Sequence, residues 1–273
     1  MPQVPATLAR PGLSVIVITK NEEAVIRRCL ESVPWADEII VVDSGSTDAT
    51  PQICRELGAK VHVTADWPGP GPQRNRAIDW SGGDWVLALD ADEWVTDELR
   101  REIEEVVRTP GTEVAFRIPR LSSFCGRYMR HSGWWPDHVS RLFRRGAARF
   151  AGGIVHDHLV AEGAVGRLRN ALMHESFTDM HEVLQKLNSY SSWGAQTLHE
   201  NGQRAGIATA VGHGVWAFFR TYVLRRGFLD GREGFLLSVS NAEGTYYKYV
   251  KLMHLPGNPA RTRELGNRKS GMA

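Results

Sequence analysis

Four short apolar runs alternate with segments of helical spacing in the first 110 residues, and this alternation restricts the fold more than any other feature of the chain. Residues 13–19, 38–42, 60–64 and 85–89 are too short for helices. The first, second and fourth are nearly continuous in apolar residues, as strands buried on both faces are. Between them, residues 22–33 place Val25, Ile26, Cys29, Leu30 and Val33 at helical spacing, and residues 50–57 open on Thr50-Pro51. A third segment carries Arg74, Asn75 and Arg76, and residues 97–107 are amphipathic. Parallel strands need such crossovers, so the order predicts an α/β fold with a mostly parallel sheet flanked by helices.

The fourth run ends in Asp90-Ala91-Asp92-Glu93. In an open α/β sheet, ligands bind at the carboxyl ends of strands. Carboxylates two apart can aim oxygens at one divalent ion and at the phosphates it carries. The same acids also suit the start of a helix near Thr96, so spacing alone leaves both readings open.

Beyond residue 110 the parallel pattern stops. Residues 114–119 read as a strand, and residues 121–150 as irregular, aromatic and basic. Within that stretch, Trp134-Trp135-Pro136-Asp137-His138 precedes an arginine-rich segment that reads as a helix start. His156, His158 and His174 follow. Helical spacing resumes over 180–199, 207–224 and 236–252. The expected organisation is a flexible arm over 1–12 and a domain over 13–178, divided at 110 where the parallel pattern stops. A helical C-terminal region follows over 179–255, then a flexible tail over 256–273.

Composition narrows the chemistry. Among 273 residues, 33 Lys and Arg against 31 Asp and Glu give too little excess charge for a nucleic-acid binder. Cys29, Cys54 and Cys125 lack the spacing of a zinc site or a disulfide framework, and the first apolar run is too short for an export signal. A cytoplasmic location is expected.

Four stretches in order carry a resemblance: residues 14–23 (SVIVITKNEE), residues 41–48 (VVDSGSTD), Gln73-Arg74-Asn75-Arg76-Ala77, and Leu89-Asp90-Ala91-Asp92-Glu93. Together they resemble the nucleotide-sugar half of family 2 glycosyltransferases with the GT-A fold. Arg141 to Arg145, His156 and residues 227–231 are similar to the branch that includes lipopolysaccharide-core β-1,4-glucosyltransferases. The resemblance implies that Thr19 and Glu22 flank a uridine, that Asp43 contacts base or ribose, that Arg74 lies near base and phosphate, and that Asp90 faces the ribose. It further implies that Asp92 holds a Mg²⁺ or Mn²⁺ ion and that a carboxylate after the metal strand is the base. Asp137 is the choice, with Glu93 and Asp157 in reserve. His156, a neutral imidazole, is a candidate to complete the metal shell or to hold a phosphate. Many relatives carry a second Asp where this chain has Ser44.

The expected activity is inverting, metal-dependent transfer of a hexose, glucose foremost, from a UDP-sugar to a lipid-linked glycan such as the lipopolysaccharide core. Alternatives are a non-catalytic nucleotide-sugar-binding protein and a sugar nucleotidyltransferase; the latter needs a glycine-rich phosphate loop beside Lys20, which is absent. Gly212, His213, Gly214 and Arg220 interrupt the 207–224 run, so it is expected to lie on a membrane or pack in a core rather than to span. No nucleic-acid partner is expected, and the oligomeric state is left open.

Overall fold

The apolar runs become β1 (Leu13–Thr19), β2 (Glu38–Asp43), β3 (Lys60–Val63) and β4 (Trp85–Asp90), with α1 (Ile26–Glu31), α2 (Thr50–Glu56) and α3 (Pro70–Trp80) between them. The computed structural model of the chain describes residues 11–152 and 157–256. β3, β2, β1 and β4 lie side by side in that order, all parallel. Their side chains divide with the period of two that a strand imposes. Leu13, Val15 and Val17 join Trp85, Leu87 and Leu89 in a core with Ile26 and Leu30 of α1. Ile16, Val86 and Ala88 join Ala77 and Ile78 of α3 in another. This is the expected α/β sheet with helices on both faces.

After β4 come β5 (Glu93–Val95) and α4 (Asp97–Arg108), whose start is capped by Thr96: its Oγ1 accepts from the Leu99 N–H at 3.3 Å. Residues 121–150, expected to be irregular, instead contain strand. β6 (Ala115–Phe124) is followed by β7 (Arg127–Tyr128), β8 (Asp137–Arg144) and β9 (Ala148–Gly152). β8, read in sequence as a helix start, lies antiparallel between β4 and β6. Its arginines hide the strand signal, because Arg141 is buried against Asp90 of β4 and Glu93 of β5 and needs no solvent. β10 (Asp157–Ala161), β11 (Val165–Arg167) and β12 (Leu172–Phe177) complete the strands.

The C-terminal helices are α5 (Met180–Glu200), α6 (Ile207–Phe219), continued by a π-helical turn at Arg220–Leu224, and α7 (Gly231–His254), preceded by a 3-10 turn at Gly227–Asp230. Asp179 caps α5 by accepting from the Glu182 N–H at 2.9 Å, while Glu182 accepts from the Thr178 N–H at 2.8 Å. No described helix is long and apolar enough to cross a membrane.

Two compact units result. The first joins the residues up to Leu121 with Asp137–His174, and the second joins Ser122–Pro136 with the residues from Glu175 onward. In the second, Asp230 is buried and accepts from the backbone N–H groups of Arg130 and His131 at 3.1 and 2.9 Å, which ties the 122–136 excursion to the turn before α7.

Candidate active site

The loops after β1 and β2 are stitched to each other. Asn21 adopts φ +56°, a conformation its short polar side chain tolerates, and its Oδ1 accepts from the Thr47 N–H at 2.8 Å. The Asn21 N–H donates to Ser46 Oγ, and the Glu22 N–H to Thr50 Oγ1, each at 2.8 Å. Asp43, fully buried, is the centre of this stitching. Its Oδ1 accepts from the N–H groups of Gly45 and Ser46 at 3.1 and 2.9 Å, and its Oδ2 from the Thr19 hydroxyl at 3.1 Å and from the Ser46 hydroxyl. The Asp43 carboxylate therefore faces its own loop. Ser44 accepts from the buried Gln73 amide at 2.9 Å.

These loops border a cavity of about 270 Å³ at the carboxyl ends of β1 and β4. Of the sequence-predicted residues, Thr19, Glu22, Asp90 and Asp92 line it, joined by Lys20, Trp67 and His174. His174, unassigned from sequence, stands across from Asp92: its Nε2 is 3.2 Å from Asp92 Oδ2. The pairing follows from the antiparallel register of β12 with β5, which sets His174 opposite Glu93. His156 lies outside the described residues.

Behind the cavity runs a chain of alternating charges. Asp90 offers one carboxylate oxygen to Arg74 and the other to Arg141, and Arg74 also pairs with Asp157. Gly71 permits this approach of α3, since a Cβ there would stand 3.3 Å from the Asp157 Cβ. Arg141 also donates to Glu93 Oε1 at 2.8 Å, and Arg120 to the same oxygen at 3.2 Å, while Glu93 Oε2 accepts from the Asp90 N–H at 2.9 Å. Burial opposes ionisation of Asp90, but Arg141 and Arg74 outweigh it and hold its carboxyl well below the usual range. Arg141, whose burial is likewise overcome by Asp90 and Glu93, is held above its ordinary value. Glu93 has no exposed surface and partners on both oxygens, so it reaches no acceptor.

The chain ends at Asp137. Arg120, its register partner on β6, donates to Asp137 Oδ2 from Nε at 3.0 Å and from Nη2 at 2.7 Å. Oδ1 makes no hydrogen bond among the described residues, and the side chain is 43% exposed, which leaves one oxygen able to take a proton. Trp134, three residues before Asp137 in sequence, belongs to the second unit and packs on Phe124 and Phe177 at ring-centroid distances of 5.9 and 6.0 Å. Arg76 pairs with Asp66 at 2.7 Å, away from the cavity lining. Arg120 escaped the sequence reading because it falls between the strand read over 114–119 and the stretch read as irregular, and the role of Arg141 escaped it because that residue lies inside the irregular stretch.

A ligand cavity rimmed by carboxylates where parallel strands end marks the class of α/β enzymes. The chain belongs to glycosyl transferase family 2, whose sequence description matches residues 14–167, and it is a glycosyltransferase. An uncharacterized glycosyltransferase of Rickettsia bellii (strain RML369-C) is 34% identical over 93% of this chain and 91% of its own. The lipopolysaccharide core biosynthesis glycosyltransferase LpsC of Rhizobium meliloti (strain 1021) is 29% identical over 88% of this chain and 91% of its own. Among solved structures, residues 1–349 of S. aureus TarS in complex with UDP-GlcNAc align with a TM-score of 0.48 at 18% identity, covering 90% of this chain and 92% of that one.

Proposed function

We propose that the chain is an inverting hexosyltransferase that takes a UDP-sugar, with glucose as the leading candidate, and transfers the sugar to a lipid-linked glycan of the lipopolysaccharide-core kind. The observation that carries this reading is the cavity at the ends of β1 and β4, where Thr19, Glu22, Asp90, Asp92 and His174 converge beside loops already fixed by their own hydrogen bonds. Family membership supports sugar transfer, and the likeness to LpsC supports the acceptor class.

In this reading Thr19 and Glu22 border the uridine. Asp90 keeps a lone pair on each oxygen for a ribose hydroxyl, because each Arg takes only one. Arg74 serves the donor by holding Asp90, and Asp43 by holding the loop between β2 and α2. The free oxygen of Asp137 removes the acceptor proton as the acceptor oxygen bonds to the anomeric carbon and the bond to UDP breaks on the opposite face. Arg120 keeps the other Asp137 oxygen in place.

The donor set suits a divalent ion: the carboxylate of Asp92 and the imidazole of His174 are hard-oxygen and nitrogen donors acceptable to Mg²⁺ or Mn²⁺. Among the described residues no cluster of three His, Cys, Asp or Glu side chains occurs. When bound, such an ion supplies Lewis-acid neutralisation of the departing diphosphate.

A lipid-linked acceptor requires access to a membrane surface. Val211, Val215, Trp216, Phe219, Val223 and Leu224 expose an apolar stripe along α6 and its π-helical turn, flanked by exposed Arg220, Arg225 and Arg226. From Arg204 to Arg232 the one acid is Asp230, which is buried and hydrogen-bonded. This mixture suits an anionic interface, the inner face of the cytoplasmic membrane.

Calorimetry with UDP, with and without Mn²⁺, tests the reading. UDP affinity should rise with the ion in the parent and lose that rise in Asp92→Asn, with Tm unchanged. A parent that binds UDP no better than ADP or CDP, or an Asp92→Asn variant with the full effect of Mn²⁺, would overturn it.

A further inference from the structure

The second unit has an open cavity of its own, about 280 Å³, between α5, α7 and the aromatic cluster of Phe124, Trp134 and Phe177. Helical spacing builds its walls. Leu237, Asn241, Thr245 and Lys248 stand at i, i+4, i+8 and i+11 on α7, and Lys186 and Tyr190 at i and i+4 on α5. Two features of the lining are unspent. Lys186 and Lys248 face the cavity without a carboxylate partner among the described residues, and no Asp or Glu lines it. The amide of Asn241 and the hydroxyls of Ser240 and Thr245 make no hydrogen bond among the described residues.

The lysines are also held in place. Lys186 donates to the Ser176 carbonyl at 3.1 Å and lies 4.6 Å from the Phe177 ring centroid. The stem of Lys248 crosses Gly194, where a Cβ would stand 2.8 Å from its Cδ, and its ammonium lies 5.1 Å from the Tyr249 ring centroid. Fixed cations without counter-charge, an uncommitted amide with hydroxyls, and the aromatic faces of Trp134 and Tyr190 are complementary to one kind of molecule. An acyl chain would leave the amide and hydroxyls unanswered, and a bare anion would leave the rings unused.

We propose that this cavity binds a saccharide bearing an anionic substituent, phosphate or carboxylate. The lysines take the charge, Asn241 and Thr245 the ring hydroxyls, and Trp134 and Tyr190 the C–H faces. Naming this saccharide as part of the acceptor rests on the transferase reading above; the binding itself does not.

Titration of the full-length chain with glucose 6-phosphate, glucuronate, methyl glucoside and inorganic phosphate, followed by calorimetry or ligand-observed NMR, tests the proposal. At least one of the two charged sugars should bind tenfold or more tightly than methyl glucoside and than inorganic phosphate, and which one does so identifies the substituent. Lys248→Met and the double variant with Lys186→Met should remove that preference, and Asn241→Ala should weaken both charged sugars. UDP affinity should stay at the parental value in every variant, which also reports that the chain is folded. Equal binding of charged and neutral sugars, inorganic phosphate binding as tightly as the better-bound charged sugar, or lysine variants with an unchanged preference would overturn the proposal. Loss of UDP binding in the parent would count against the donor reading alone.

Discussion

Asp137 is held by one oxygen and free at the other, so its replacement by Asn should separate binding from chemistry. Asp137→Asn keeps shape and hydrogen bonding but removes the proton acceptor. UDP affinity should persist while transfer to a core-oligosaccharide acceptor falls on the order of 10²- to 10⁴-fold. Transfer at the parental rate would move the base elsewhere. Asp43→Asn should act the other way: an amide cannot accept all four hydrogen bonds that fix the loop, so UDP affinity itself should drop. At this scale the sequence made Thr19, Glu22, Asp90 and Asp92 legible, because a strand end followed by polar residues announces itself. His174 was not legible. Its meeting with Asp92 depends on the register between β5 and β12, which are separated by most of the first unit, and no local pattern records that register.

The strands carry a different lesson. β1, β2 and β4 were readable as continuous apolar runs, since both their faces are covered. β8 was not, although it is as central, because two acids from β4 and β5 satisfy Arg141 inside the sheet and so permit a charged residue where the pattern asks for an apolar one. Arg141→Met should therefore cost about 3–5 kcal/mol in denaturant unfolding, the range for stripping a buried carboxylate pair of its cation. A loss below ~1 kcal/mol would mean that Asp90 and Glu93 are neutralised by other means. Glu38 ties the start of β2 to its neighbours through Lys60, the Ser14 hydroxyl and the Gly82 N–H. Burial opposes its ionisation, but these partners prevail and its carboxyl is lowered from 4.5 to about 2. Its contribution is thus complete above pH 4.5 and fades as pH falls toward 2, so Glu38→Gln should flatten the acid limb of the stability curve across that window.

On the scale of the whole molecule, the exposed stripe of α6 is what the proposed membrane contact rests on. Replacing Arg225 and Arg226 with Glu should weaken sedimentation with anionic phosphatidylglycerol vesicles by about 1 kcal/mol per arginine removed, with little effect on neutral phosphatidylcholine vesicles. Unchanged sedimentation, or a parent that does not sediment, would return the stripe to protein–protein contact. The sequence left this segment between a membrane surface and a core; the structure shows that many of its apolar residues face outward. The excursion of residues 122–136 into the second unit was invisible, since it depends on Asp230, about a hundred residues away.

The alternating chain from Asp137 through Arg120, Glu93, Arg141, Asp90 and Arg74 to Asp157 also constrains descent. Each interior member answers two neighbours, so a lineage that loses one by point mutation inherits an unanswered buried charge before it can repair the partner. Drift at these seven positions should therefore be slow and correlated, with exchanges fixed in compensating pairs, whereas the surrounding apolar positions remain free to trade Val, Ile and Leu one at a time.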